Sequence, residues 1–241
     1  MHRPGVFVTT HWSLVLKATQ EDTTKARTAL ERLCQTYWYP LYAYVRRRGF
    51  SRDDAQDLTQ AFFAKLLERQ WLGAADKEKG RFRTFLLTAM ERFLANEWDK
   101  VRTLKRGGGK VHVPIQLDTA ETRYGVEPQD TRTPAQAFEY RWALTLLDEV
   151  LKRLEGEYRS RGQQVLFAAL KPCLIGERSS HPYADLAARL GMGETALKVT
   201  VHRLRHRYRE LLRAEIAETV ASKEEVDAEM KHLFEVLAKG G

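Results

Sequence analysis

Residues 183–213 read YADLAARLGMGETALKVTVHRLRHRYRELLR, and the spacing of their apolar side chains sets the fold class. Leu186, Ala187 and Leu190 lie on one side of a short helix that begins near Tyr183. Gly191 follows at the point where a helix-turn-helix requires a left-handed backbone, and the small Ala187 lets two helices approach closely. A second helix then starts near Glu194 or Thr195, with Leu197, Val201, Leu204, Tyr208 and Leu211 in a 4-3-4-3 stripe that needs burial. Lys198, His202, Arg203, Arg205, Arg207 and Arg209 occupy its other faces, where Glu210 is the only acid of the later run. A solvated cationic face explains these charges in most helices. The turn glycine, the short preceding helix and the scarcity of acids four residues away favour a DNA-reading helix instead. On that reading Thr195, Lys198 and Val199 meet base edges, and the later arginines meet phosphates.

Outward from this stretch the helical period dominates and strand-like alternation is rare, so an all-α protein is expected. A first helix is predicted from Asp22 or Thr23, with Pro40 opening a further segment that Gly49 ends. Ser51 with Asp54 forms a near capping box for a helix carrying Leu58, Phe62 and Leu66 inward. A long helix rich in aromatics is predicted from about Arg81 to Leu104. Residues 105–134 hold Gly107, Gly108 and Gly109 with Pro114, Pro128 and Pro134 and show no sustained period, which reads as a flexible linker. Helical spacing resumes at Phe138, with Trp142, Leu146, Val150 and Leu154 in register. The predicted architecture is two small helical domains, 1–105 and 138–213, joined by a linker at 106–137 and followed by an acidic extension at 214–241.

The whole-chain balance agrees with a polyanionic partner. Of 241 residues 43% are apolar, enough for a packed core, and 40 Lys plus Arg against 32 Asp plus Glu give a formal charge of +8. Charge alone does not separate nucleic acid from an anionic membrane surface. No run of residues is long and apolar enough for membrane insertion, residues 1–10 lack the apolar region of a secretory signal, and a cytoplasmic location is expected. Cys34 and Cys173 have no metal-ligand spacing and read as small core residues. No phosphate loop, Ser/His/Asp set or metal motif appears, so neither an enzyme nor a cofactor is expected.

Two further segments carry polar and aromatic residues at suggestive spacing. Asp57, Gln60 and Phe63 lie along one side of the helix DAQDLTQAFFAKLLER, a pattern that a core Phe beside solvated polar groups also explains. The helix after it interleaves Arg81, Phe82, Arg83, Phe85, Arg92, Phe93, Asn96, Trp98 and Lys100. Stacking rings and backbone-tracking cations suit single-stranded nucleic acid, although most such rings could equally be core.

Taken together these segments resemble the bacterial extracytoplasmic-function sigma factors, the two-domain promoter-specificity subunits of RNA polymerase. DAQDLTQAFFAKLL looks like the D-x-x-Q-x-x-F helix of region 2, GRFRTFLLTAMERFLANEW like the promoter-melting helix, and residues 183–212 like the helix-turn-helix of region 4. The opening HWSLVL, the phrase YWYPLYAYVRRRG and the tail after Arg213 are similar to a subgroup with extended termini. The resemblance implies that Asp57, Gln60, Phe63 and Leu67 dock on core RNA polymerase. It implies that a loop from Gln70 to Arg83 captures a flipped base of the −10 element, with Arg81, Arg83, Phe85, Arg92, Asn96 and Lys100 as its DNA contacts. It places Thr195, Lys198, Thr200, His202, Arg203 and Arg205 at the −35 element of promoter DNA, the linker toward the RNA exit path, and an anti-sigma or other regulatory protein among the candidate partners. Val199–Thr200 stand where the family commonly has Ser-Arg, which makes the upstream sequence preference this chain's own. The competing readings are a free-standing helix-turn-helix regulator that never joins polymerase, and an RNA-binding module.

The tail reverses the charge: residues 214–241 hold seven acids against three lysines. Ser222 is placed to cap a helix with Val226, Met230, Leu233, Phe234 and Leu237 on one face. Such a stripe either packs on its own domain or folds against a basic surface and restrains DNA binding until displaced.

Overall fold

The computed structural model describes residues 23–67, 81–103, 132–175, 183–220, 222 and 224–239. Among them there are nine helices, one isolated antiparallel bridge between Arg81 and Val220, and no strand: the fold is all-α. The helices are α1 (Thr23–Arg47), α2 (Arg52–Leu67), α3 (Phe82–Thr103), α4 (Pro134–Ser160), α5 (Gln164–Leu170), α6 (Pro172–Ile175), α7 (Tyr183–Arg189), α8 (Glu194–Ala217) and α9 (Glu225–Ala238). Most of the expected linker, and the loop before Arg81, lie outside the described residues.

The chain divides into two compact units, Met1–Thr145 with Ile216–Gly241, and Leu146–Glu215. The division differs from the boundaries expected at 138 and 214. Phe138 and Trp142 are buried in the first unit, where Phe138 stands 6.4 Å from the Tyr37 ring. Ile216, Val220, Val226, Met230 and Leu233 are buried with it, so the acidic tail belongs to the N-terminal unit's own core.

In the first unit α1 packs on α2 and α3, and α2 packs on α3. Pro40 does not begin a new segment: α1 runs through it. An interior proline costs about 3 kcal/mol through its missing N–H and ring clash. The apolar side chains buried on both sides of it, Tyr37, Trp38, Leu41, Tyr42, Tyr44 and Val45, outweigh that cost. The helix ends where expected, at Gly49 with φ +93°. The Ser51 hydroxyl accepts the Asp54 N–H at 3.2 Å and donates to its carboxylate at 2.7 Å, the capping pair read from sequence. Cys34 and Cys173 are buried thiols, and burial first, then the nearby Glu31 carboxylate, pushes the Cys34 thiol up.

The start of α4 lies four residues before the expected Phe138. Gln136 N–H donates to the Thr133 hydroxyl at 3.3 Å, the Gln136 side chain accepts the Thr133 N–H at 2.9 Å, and Pro134 occupies the first helical position. Thr133→Ala is expected to remove about 1 kcal/mol of stability, read as a shifted midpoint in urea with an unchanged slope.

In the second unit the C-terminal half of α4 buries Val150 and Leu154, and Tyr158 meets Phe167 of α5 at 5.4 Å. The Tyr208 hydroxyl of α8 donates to the Leu147 carbonyl at 3.3 Å, and burial pushes that phenol up to about 12.

Candidate nucleic-acid interface

The turn between α7 and α8 is built on backbone hydrogen bonds. Met192 N–H donates to the Ala187 carbonyl at 3.0 Å and Gly191 N–H to the Ala188 carbonyl at 3.2 Å, the paired closure of a Schellman motif. That closure needs a left-handed residue at 191, and Gly191 has φ +63°. Gly193 then caps α8, its carbonyl accepting Leu197 N–H at 3.0 Å. Gly191→Ala is expected to cost about 1–2 kcal/mol through the left-handed penalty on a Cβ, checked by thermal unfolding.

The buried stripe of α8 is the one expected: Leu197, Val201, Leu204 and Leu211 are buried and Tyr208 half-buried. Thr195, Lys198, Val199, His202 and Arg203 are exposed together on the opposite side over its first two and a half turns, with Val199 44% exposed. An exposed β-branched residue amid polar groups is the kind of surface that meets a thymine methyl. Thr200 is half-buried, and its hydroxyl donates to the Ala196 carbonyl at 2.8 Å.

The cations of α8 are less free than their sequence suggests. Lys198 reaches Glu194 one turn back at 2.6 Å, and that hydrogen bond and charge raise its pKa, so it stays an ammonium. Arg207 bridges Glu157 at 2.7 Å and Glu210 at 3.1 Å, and the hydrogen bonds from Arg207 lead the lowering of the Glu157 pKa. Arg205, expected at the upstream DNA element, donates from Nε and Nη2 to the Cys173 carbonyl at 3.1 and 2.8 Å, fastening α8 to α6. Among the described residues Arg189, Arg203 and Arg209 make no ion pair, which concentrates available positive charge around α7 and the middle of α8.

The first unit distributes its expected contact residues unevenly. Asp57 is exposed on α2, but Gln60 and Phe63 are buried, Phe63 edge-on to Phe62 at 5.4 Å. Phe63 therefore shapes the core beneath the α2 surface. On α3, Arg92 and Asn96 are exposed, and Phe85 is half-buried and stacked on Phe82 at 6.3 Å. The side chains of Leu67, Trp98 and Lys100 lie outside the described residues.

Arg83, expected to contact DNA, is buried. Its Nε and Nη2 donate to the two carboxylate oxygens of Glu229, the latter at 3.2 Å, its Nη1 donates to Glu139 at 2.7 Å, and its guanidinium lies over the Trp142 ring at 5.1 Å. Arg81 also reaches Glu229, at 3.2 Å. Sequence reading did not single out Glu229, yet the signal was there: it lies between Val226 and Met230 on the buried side of α9, a carboxylate where an apolar residue belongs. A carboxylate held at such a position requires a buried cation.

Among the described residues no cluster of His, Cys, Asp and Glu could hold a metal ion, and no helix is long and apolar enough to cross a membrane. No protein-family model, curated protein or solved structure matches the chain.

Proposed function

We propose that the chain is a transcription-initiation factor of the extracytoplasmic-function sigma type, acting without covalent chemistry by binding core RNA polymerase and two promoter elements. What supports this reading most is the face formed by Thr195, Lys198, Val199, His202 and Arg203, backed by the buried stripe of α8 and aimed by the Gly191 turn. That surface has the size and chemistry of a helix that enters a major groove, with polar and apolar side chains near its N-terminus and cations flanking them. In this reading Asp57 carries the polymerase contact on α2, while Arg92 and Asn96, exposed along α3, meet the melted strand.

Lys198→Ala is expected to weaken binding to the upstream element by about 1–3 kcal/mol if the ammonium meets a base, with the fold intact by circular dichroism. Footprinting of the upstream element checks it, and unaltered protection would place the recognition face elsewhere. In vitro transcription on a promoter library with purified core enzyme tests the function as a whole.

The burial of Phe63 and Arg83 favours a second reading, a free-standing duplex-binding regulator, because both are side chains that the sigma reading gives to polymerase and melted DNA. Absence of any association with core polymerase in a pull-down, together with retained duplex binding, selects it.

A further inference from the structure

Glu229 arrives from the C-terminal helix with 1% of its side chain exposed, and two guanidiniums converge on it. Arg83 spans both carboxylate oxygens, and Arg81 shares one of them at 3.2 Å. The arrangement is graded toward solvent: the Arg83 side chain is 7% exposed and that of Arg81 32%. Two arginines gripping adjacent oxygens of one anion is also how a nucleic-acid phosphate is held. Backbone contacts hold the same two stretches together just ahead of this ion pair, since Phe82 N–H donates to the Thr219 carbonyl at 3.0 Å and Arg81 bridges Val220. Thr219, Val220 and Glu229 therefore lie against the start of α3, the helix along which Arg92 and Asn96 stand exposed and Phe85 half-buried.

We propose that α9 is a displaceable cover in which the Glu229 carboxylate stands in for a phosphate of single-stranded DNA, so that the strand and Glu229 compete for Arg81 and Arg83. The inference rests on the nucleic-acid reading of α3 given above and deepens it by assigning its regulation. Charge decides who can displace the cover. When Glu229 leaves, Arg83 retains its contact with Glu139 while Arg81 loses the carboxylate it reached, and another anion restores the balance. The segment is also suited to leave: α9 inserts Val226, Glu229, Met230 and Leu233, while Asp227, Lys231, Phe234 and Glu235 on its other faces remain exposed. Residues 214–241 hold seven acids against three lysines, so the released tail repels the strand that replaced it.

The test uses the full chain and a single-stranded oligodeoxythymidine. Hydrogen exchange over residues 225–238 is expected to accelerate when the oligonucleotide binds. Glu229→Gln is expected to bind it about tenfold more tightly at low salt, with a log–log salt slope steeper by about one to two, as one or two more phosphates are neutralised. Arg81→Gln, at the more exposed position, keeps the test alive if Glu229→Gln fails to fold: it should bind the oligonucleotide less well and lose the acceleration. An oligonucleotide that does not bind, or binds without changing exchange in α9, overturns the cover, as does Arg81→Gln behaving like the parent chain. Failure of the functional reading looks different. There the chain shows no association with core polymerase and no promoter binding, while α9 still responds to the oligonucleotide.

Discussion

Glu229→Ala is expected to destabilise the N-terminal unit by about 3–5 kcal/mol, the cost of leaving a buried cation without its counter-charge. Burial pulls the Arg83 pKa down, but the hydrogen bonds and charge of Glu229 outweigh it and the net direction is up. Arg83 thus keeps its proton, and the variant carries a desolvated guanidinium facing Glu139 alone. Urea unfolding should show the loss, and the thermal midpoint should fall by on the order of 10 °C. The paired replacement Arg83→Met with Glu229→Met is expected to recover most of it, because two apolar groups of similar length remove both desolvation costs together. If the double variant is no more stable than Glu229→Ala, packing of α9 rather than the charge pair is what the unit needs. No conflict arises between this cost and a displaceable cover: a bound phosphate supplies the counter-charge that alanine does not.

The second large effect is expected at Leu204→Ala. Leu204 is fully buried in the α8 stripe, and truncating such a leucine costs about 2–5 kcal/mol through lost transfer energy and a residual cavity. Its consequence for DNA differs in kind from that of Lys198→Ala. Leu204→Ala lowers the folded fraction that presents the α8 face, so its binding defect shrinks under conditions that restore folding, such as lower temperature or added osmolyte. Lys198→Ala removes one contact from a folded surface, so its defect persists there. Measuring affinity and unfolding midpoint together for both variants separates scaffold from contact.

The α8 stripe, the Gly191 turn and the Ser51–Asp54 cap were legible in the sequence because each rests on contacts within a few residues. Helical period, a left-handed backbone and a reciprocal cap are local rules. The Thr133–Gln136 cap obeys the same rules but sits in a stretch whose prolines and glycines argued for a linker, so composition masked it. Pro40 reads as a break because backbone propensity is local, whereas the aromatic packing that overrides it is tertiary. Gln60 and Phe63 show a different limit. A helix that touches one neighbour buries one stripe, but α2 packs against both α1 and α3 and buries Thr59, Gln60, Phe62, Phe63 and Leu66 across a wider arc. Motif spacing alone could not assign Phe63 to the inside. Arg83 is hardest, since its partner lies 146 residues away and the misplaced carboxylate at Glu229 does not say which cation meets it.

That separation also has a consequence during synthesis. At about 5–20 residues per second, a ribosome that has just added Arg83 needs on the order of ten seconds to add Glu229. Through that interval the nascent N-terminal helices carry a guanidinium that lacks its Glu229 partner and an apolar surface that α9 has yet to cover. Translation speed over residues 84–229, and the chaperones that meet the emerging chain, therefore bear on how much of it reaches the folded state.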